Sequence, residues 1–247
     1  MSFYIGDPYE QAAFWEPQTT DDSCAVVAQM SILNQYLDHP ISQEEAIYHA
    51  ASYGYTPGYG TSSDAMGGLL EAYGVSTHSV ENATIEQLAA ELQQGHRVIV
   101  GVNSDELWQV GPLGEFGNWL RDAFGLDNAD FSPADHAVSV SGLDLSDIKN
   151  PKVIINDSGD PTGAGKLYPL DQFMDAWANN DFSYVATSSP PDLSGIPSNF
   201  DIGDFLGWTA TAAIAFSGID PMVSYQVGEL VDSVIDNTDW NSLLPTI

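Results

Sequence analysis

The stretch that most constrains the fold is CAVVAQMSILNQYL, residues 24–37, in which apolar side chains cover nearly every face of a helix. A helix of this kind is stable only when other elements enclose it. Its first residue, Cys24, is the only cysteine among 247 residues, so a disulfide within the chain is excluded. The sequence therefore predicts a buried helix that begins at the single thiol.

Further helices are predicted in the first half of the chain. Ser42 with Glu45, and Thr84 with Gln87, each have the spacing of a capping box at a helix start. A helix between these two is expected to end at Gly74. The N-terminal part of the chain is accordingly expected to be mostly helical.

The second half has the residue pattern of strands. β-Branched and alternating runs predict strands at 97–103, 136–144, 152–157 and 182–187. The alternation in 136–144 indicates a half-buried strand, and a helix is predicted after Pro169. Residues 104–135 are expected to form a loop and a short helix. This order predicts an α+β fold in which a helical N-terminal lobe packs on a mainly antiparallel sheet.

The C-terminal part is expected to be separate. Pro, Ser and Gly at 188–199 predict a linker between a domain at 1–187 and a helical appendix at 200–247. The apolar stretch 205–219 is shorter than the roughly 20 residues of a membrane span, so it is interpreted as a core helix and no span is expected. Apolar residues at helical spacing follow at Val227, Leu230, Val231 and Val234. The appendix is expected to pack on the main domain; docking a partner, covering the cleft and serving as an export signal are the alternatives.

The charge balance excludes one class of partner. There are 35 acidic and 5 basic side chains, for a formal net charge of −30. Nucleic acid is excluded because its phosphates would be repelled. A solvated acidic surface is the simplest interpretation, while a salty habitat, export and a basic substrate stay open. The N-terminal residues lack the pattern of a secretory signal, which leaves the cytoplasm and signal-independent export as compartments.

Cys24 is a candidate nucleophile because of its place at the start of a helix. Free N–H groups and the dipole of the first turn stabilise an anion, and the thiolate is the reactive form of cysteine. Asp21 or Asp22 is expected to cap this helix. Gln18, six residues earlier, is placed to donate to an oxyanion together with the Cys24 N–H. The alternative is that Cys24 is a small buried hydrophobe and Gln18 an ordinary surface residue.

A thiol nucleophile needs a base, and His136 is the preferred candidate because it begins a strand. The other histidines lie in loops, near turns or in a helix, at positions His39, His49, His78 and His96. Asp157 follows the next strand, where its carboxylate is expected to accept a hydrogen bond from the imidazole and fix its tautomer. The alternatives are an ordinary strand histidine and a turn-forming aspartate in NDSGDP.

Phosphate and metal sites are not supported by the sequence. GDPTGAGKL resembles a phosphate-binding loop, but that loop needs Gly at Asp160 and Ser or Thr at Leu167. The paired His and Cys spacings of metal sites are absent from the sequence. No cofactor and no metal are therefore predicted.

Three segments together resemble the papain-like cysteine peptidases of the bacteriocin-leader-processing kind and their stand-alone bacterial relatives. They are PQTTDDSCAVVAQMSIL, DHAVSVSG, and VIINDSGDP with the later YPLDQFMDAW, and the resemblance covers about residues 12–187. It implies a papain-like fold that hydrolyses peptide bonds in a peptide or protein substrate. The resemblance also implies that Cys24 is the nucleophile and His136 the general base and acid. Asp157 would orient His136, and Gln18 would complete the oxyanion hole.

The sequence departs from this family in two ways. The usual Asp-Pro is extended to NDSGDP, so Asp157 and Asp160 compete for the orienting role; Asp157 is preferred because it directly follows the apolar strand. No transporter span and no ATPase are expected, so leader peptides that end in Gly-Gly do not follow as substrates. Deamidation, transglutamination and amide ligation by the same groups are alternatives, as is a non-catalytic module that binds peptides or a basic partner.

Overall fold

The computed structural model describes residues 4–108 and 134–192. The helices are α1 (Pro8–Ala12), α2 (Cys24–Leu33), α3 (Gln43–Ala50), α4 (Gly68–Ala72), α5 (Ile85–Gln93), α6 (Ser104–Trp108) and α7 (Leu170–Ala178), with a 3₁₀ turn at Ser63–Ala65. The strands are β1 (Tyr4–Gly6), β2 (Tyr55–Thr56), β3 (Gly60–Thr61), β4 (Thr77–Val80), β5 (Val98–Val102), β6 (His136–Asp144), β7 (Lys152–Asn156), β8 (Lys166–Pro169) and β9 (Tyr184–Thr187).

Within the described residues, the main sheet has seven strands, all paired antiparallel, and six of them lie in the order β4-β9-β5-β6-β7-β8. β1 extends it by pairing with the end of β6, beyond the residues that pair with β5. β2 and β3 form a separate hairpin. The long strand β6 therefore lies at the centre of the sheet, and its first residue, His136, pairs with Val102 at the end of β5.

Helices cover both faces of this sheet. α2, α3 and α4 pack on one face against Ile99, Ala137 and Val185, whereas α5 and α7 pack on the other against residues such as Val98 and Val100. The neighbours in β5 thus alternate between two apolar cores, as the two-residue repeat of a strand requires. This arrangement confirms the α+β class, the mainly antiparallel sheet and the buried helix at 24–33.

Three details differ from the sequence-based expectations. β6 is buried on both faces rather than half-buried, and Ser141 is accommodated there because its hydroxyl donates to the Ile154 carbonyl at 3.1 Å. The helix expected to end at Gly74 is divided into the 3₁₀ turn and α4, because Gly67 adopts a φ of 99° that no helix tolerates. The structure also contains strands that the sequence pattern did not indicate, namely β1 to β4 in the N-terminal half and β8 at Lys166–Pro169.

The two predicted helix caps are present. Thr84 and Gln87 form both bonds of the capping box on α5. Ser42 accepts a bond from the Glu45 N–H at the start of α3. The predictions for residues 109–133, for most of the linker at 188–199 and for the appendix at 200–247 lie outside the described residues.

Candidate active site

Cys24 is the first residue of α2, which places its thiol against the start of β6. Ser23 is the N-cap residue, and its side chain makes no capping bond. The expectation that Asp21 or Asp22 caps α2 is wrong, because Ser23 is the N-cap residue and the Asp22 carboxylate instead accepts the N–H of Gly58 in the β2–β3 hairpin. The Ala25 N–H, in the first turn of α2, stabilises the Cys24 thiolate together with the Ala137 N–H.

His136 lies between the thiol and a carboxylate. Its side chain is nearly buried, and its Nε2 lies 2.7 Å from Oδ1 of Asp157. The imidazole also forms a hydrogen bond with the Cys24 thiol. Since Nε2 is occupied by Asp157, Nδ1 is the ring nitrogen available to the sulfur. The side chains of residues 24, 136 and 157 therefore form one continuous chain of contacts.

The Asp157 carboxylate is fully buried and surrounded by donors. Oδ1 accepts the His136 imidazole and, at 2.9 Å, the N–H of Gly159. Oδ2 accepts the Trp108 indole N–H at 2.8 Å and the Tyr168 hydroxyl at 3.4 Å. These four bonds satisfy the acceptor capacity of an ionised carboxylate, which explains how a charge is tolerated with no exposure to water.

The three groups shift one another's pKa values in the directions that favour a charged pair. Burial would raise the pKa of the Cys24 thiol, but the hydrogen bond and charge of His136 outweigh it and lower that pKa. Burial opposes protonation of His136, yet its bonds to Asp157 and Cys24 raise its pKa from 6.5 to about 9. Burial likewise opposes ionisation of Asp157, whose pKa the His136 bond nevertheless lowers. Each shift thus favours a thiolate beside an imidazolium over the uncharged pair.

Asp160 occupies a different environment from Asp157. Its carboxylate pairs with the Lys166 ammonium and accepts the N–H and hydroxyl of Thr162. These are the bonds of a turn-forming aspartate. His136 therefore has Asp157, not Asp160, as its carboxylate partner.

Gln18 is held by Ser158, the residue after Asp157. The Gln18 main-chain N–H donates to the Ser158 carbonyl at 2.8 Å, and the Ser158 hydroxyl donates to Gln18 Oε1 at 3.1 Å. The Gln18 amide nitrogen donates to the Thr20 carbonyl at 2.9 Å. The candidate oxyanion donor is thus joined to the Cys24–His136–Asp157 chain through the loop after β7.

A cavity of about 580 Å³ opens beside Cys24 and His136. It lies between the β2–β3 hairpin on one side and the ends of β5 and β6 on the other. Three carboxylates, Asp21, Asp22 and Asp135, contribute to its lining together with Met66. An extended segment of substrate could be held in this cavity with a carbonyl next to the sulfur.

Sequence reasoning missed several residues that contact the catalytic candidates; besides Tyr168, whose hydroxyl bonds to Asp157, they include Trp108 and Gly159. Trp108 donates to Asp157, and its ring lies 5.2 Å from the imidazole of His136 between centroids. Gly159 packs so closely that a Cβ there would lie 2.9 Å from Cε1 of the same imidazole. Neither is announced by a local motif; Gly159 is one of several turn residues in NDSGDP, and Trp108 comes from the segment assigned only a loop and a short helix.

The other histidines do not approach Cys24. His78 and His96 both contact Glu91, at 2.9 Å and 2.6 Å, and His49 packs edge-on against Tyr73. Within residues 4–108 and 134–192, no group of three or more His, Cys, Asp or Glu is arranged to hold a metal ion. None of the helices in these same ranges is long and apolar enough to cross a membrane.

Comparison with known proteins identifies relatives in mycobacteria. The uncharacterized protein Rv1268c of Mycobacterium tuberculosis strain H37Rv is 31% identical over 209 residues, which cover 74% of this chain and 84% of the relative. Uncharacterized proteins of M. tuberculosis strain CDC 1551 and of Mycobacterium bovis match with the same values. The chain belongs to the Rv1268c family. No family model matches the sequence.

Two solved structures are similar in chain path to this member of the Rv1268c family. A putative C39-like peptidase from Bacillus anthracis matches with a TM-score of 0.48 and 13% identity, over 78% of this chain and 100% of that chain. The peptidase domain of Streptococcus ComA, a bifunctional ABC transporter in a quorum-sensing pathway, matches with a TM-score of 0.45 and 16% identity, over 70% and 96%.

Proposed function

We propose that the protein is a cysteine peptidase in which Cys24 is the nucleophile. The observation that carries the proposal is the position of His136, whose imidazole contacts both the only thiol of the chain and the buried carboxylate of Asp157. This is the arrangement of nucleophile, base and orienting acid that acyl transfer requires. The cavity beside Cys24 gives a substrate carbonyl access to the sulfur.

In the acylation half of the reaction, the Cys24 thiolate attacks the carbonyl carbon of a peptide bond. A sulfur–carbon bond forms, and the carbonyl π electrons move to the oxygen. The tetrahedral intermediate collapses when the carbon–nitrogen bond breaks and the amine takes the proton of the His136 imidazolium. The products of this half are a thioester on Cys24 and a released amine.

Water completes the cycle. His136, now neutral, removes a proton from a water molecule, whose oxygen attacks the thioester carbonyl. The sulfur–carbon bond breaks, and the acid product leaves while the thiolate and imidazolium are restored. Asp157 keeps the imidazole in one tautomer throughout, because its Oδ1 always accepts the Nε2 proton.

Gln18 and the Cys24 N–H are assigned to the oxyanion that forms in each half. A single such donor contributes about 3 kcal/mol to lowering the barrier. This assignment rests on the resemblance of the Gln18–Cys24 spacing to leader-processing peptidases and on the bonds that tie Gln18 to the residue after Asp157. The substrates of those peptidases are not carried over to this chain.

The experiment that tests the proposal uses fluorescein-labelled casein and mass analysis of the products. Hydrolysis is expected from the wild type and from His39→Ala, in which an exposed histidine outside the site is removed. Cys24→Ala is expected to lose it. Casein that gains mass without being cleaved would assign the same thiol to deamidation or amide transfer, and hydrolysis that survives in Cys24→Ala would overturn the mechanism.

A further inference from the structure

A single loop reaches both halves of the proposed catalytic machinery. Residues 157–159 follow β7, and each makes a different contact: Asp157 bonds to the imidazole of His136, Ser158 bonds to Gln18, and Gly159 packs against the same imidazole. The base and the oxyanion donor are therefore positioned by adjacent residues, although they lie more than a hundred residues apart along the chain.

The contacts between Ser158 and Gln18 orient the side-chain amide. Ser158 is 6% exposed, and its hydroxyl occupies Oε1 of Gln18 at 3.1 Å. An amide nitrogen carries two hydrogens. One of them donates to the Thr20 carbonyl, and the proposed function assigns the second to the oxyanion. The Ser158 hydroxyl and the Thr20 carbonyl therefore favour the same amide orientation, and without the hydroxyl only the exposed Thr20 contact would do so.

The loop itself is fixed by main-chain bonds on both sides. The Asp157 N–H donates to the Gly163 carbonyl at 2.9 Å, and the Asp157 carbonyl accepts the Trp15 indole N–H at 2.8 Å. The Ser158 carbonyl accepts the Gln18 N–H. A hydroxyl carried on a loop held in this way has little freedom, which is the condition for one side chain to orient another.

We propose that Ser158 is a positioning residue that holds the Gln18 amide with its N–H toward the oxyanion. The inference rests on the proposed function, because it assigns Ser158 a role only if Gln18 donates to a tetrahedral intermediate. It predicts that Ser158 affects reactions that pass through an oxyanion and leaves the nucleophilicity of Cys24 unchanged.

Two reagents separate these effects. p-Nitrophenyl acetate acylates the thiolate through a tetrahedral oxyanion: a bond forms between Sγ and the carbonyl carbon, and p-nitrophenolate leaves. Iodoacetamide alkylates the same sulfur by direct displacement of iodide at a saturated carbon, and no oxyanion forms. Both rates are measured on the full chain, in which Cys24 is the only thiol.

Ser158→Ala is expected to slow acylation about 10- to 100-fold, less than or equal to the effect of removing the donor itself in Gln18→Ala. The alkylation rate and its pH profile should stay those of the wild type. Ser158→Ala should add nothing further in the Gln18→Ala background, because the group it positions is gone. Thr162→Ala removes a hydroxyl from the same turn that bonds to Asp160, and it is the matched control without effect on either rate.

Each other outcome has a definite meaning. If Ser158→Ala acylates at the wild-type rate, or slows acylation equally in the presence and absence of Gln18, the inference is wrong. If acylation and alkylation fall together, Ser158 supports the fold or the thiolate and the inference is also wrong. If the wild type shows neither selective alkylation nor a burst of p-nitrophenol that Cys24→Ala lacks, the proposed function fails before Ser158 is at issue.

Discussion

The sheet carries two clusters in which histidine contacts a carboxylate, and they differ in what surrounds them. In one, His136 bonds to the fully buried Asp157 and, through its other nitrogen, to the Cys24 thiol beside a cavity. In the other, His78 and His96 share the carboxylate of Glu91. The comparison teaches that a histidine–carboxylate pair becomes a candidate for catalysis only when the second ring nitrogen faces a nucleophile that substrate can reach.

The carboxylates of the two clusters also differ in their other partners. Asp157 accepts donors from His136, Gly159, Trp108 and Tyr168. The partners of Glu91 are the two imidazoles and the Tyr184 hydroxyl, which is 3.1 Å away. The first network holds one imidazole in one orientation, as a general base requires. The second joins β4, α5 and β9 across one edge of the sheet, which is a structural role.

The largest expected effect comes from removing the base. His136→Ala should lower casein hydrolysis by about 10²–10⁴-fold, because it removes the imidazole that is hydrogen-bonded to the thiol and would accept and return the proton. His96→Ala removes an imidazole from the second cluster and is the matched control. Equal rates for these two variants would remove the distinction between the clusters.

The next largest effect comes from neutralising the orienting acid. Asp157→Asn keeps the shape of the side chain but loses the charge that stabilises the imidazolium, and hydrolysis should fall about 10²-fold or more. Asp160→Asn neutralises a carboxylate close to Asp157 in sequence, and Glu91→Gln neutralises one that, like Asp157, contacts histidine. Both substitutions should leave the hydrolysis rate nearly unchanged. A larger loss in Asp160→Asn than in Asp157→Asn would reverse the assignment.

A change of pH should alter the hydrolysis rate less than either of these substitutions does. The active pair needs a thiolate, which forms above the lowered pKa of Cys24, and an imidazolium, which persists below the His136 pKa of about 9. The hydrolysis rate should therefore rise with pH through the first value, reach a plateau and fall as the second is passed. His78→Ala should leave both limbs in place, and its pH profile is the check that the second cluster does not supply either limb.

The smallest expected effect is on stability, and it distinguishes two tryptophans that both donate hydrogen bonds to Asp157. Trp108 donates to the Asp157 carboxylate, whereas Trp15 donates to its main-chain carbonyl. Trp108→Phe and Trp15→Phe should each lower the free energy of unfolding by about 1 kcal/mol near neutral pH.

The pH dependence of these two losses should differ. Asp157 has a lower pKa in the folded protein than in the unfolded chain, so its ionised form stabilises the fold at pH values above the unfolded pKa. This stabilisation is lost as the pH falls through the folded pKa. The loss in Trp108→Phe should therefore shrink in acid, while the loss in Trp15→Phe stays constant because a carbonyl does not titrate. Denaturant unfolding across the acid range measures both, and parallel curves would contradict the account.

Much of the fold could be predicted because its main elements have strong local patterns. α2 is apolar all round, α5 has a complete capping box, and β5 is a short β-branched run. The short strands β1 to β4 could not be predicted, since two to four residues carry too little periodicity and their pairing partners are distant in sequence. The burial of β6 on both faces depends on which helices cover the sheet, and no single strand encodes that.

In the candidate site, too, some residues could be predicted from the sequence and others could not. Cys24, His136 and Asp157 can each be proposed from the sequence, because each lies at the end of a regular element where local pattern and chemistry coincide. Trp108 and Gly159 were missed because their contacts with Asp157 and His136 arise only after folding. The expected cap on α2 failed for a related reason: Asp22 has a competing partner in the hairpin, and the sequence gives no sign of it.

The most direct test of the central claim is titration of the Cys24 thiolate by its ultraviolet absorbance, with Cys24→Ser as the blank. The account predicts that the wild type forms thiolate well below the ordinary pKa of a cysteine, and that His136→Ala moves the transition above that ordinary value, because burial then acts unopposed. A wild-type thiolate that appears only at or above the ordinary pKa, with no change in His136→Ala, would contradict the claim that this imidazole activates the sulfur.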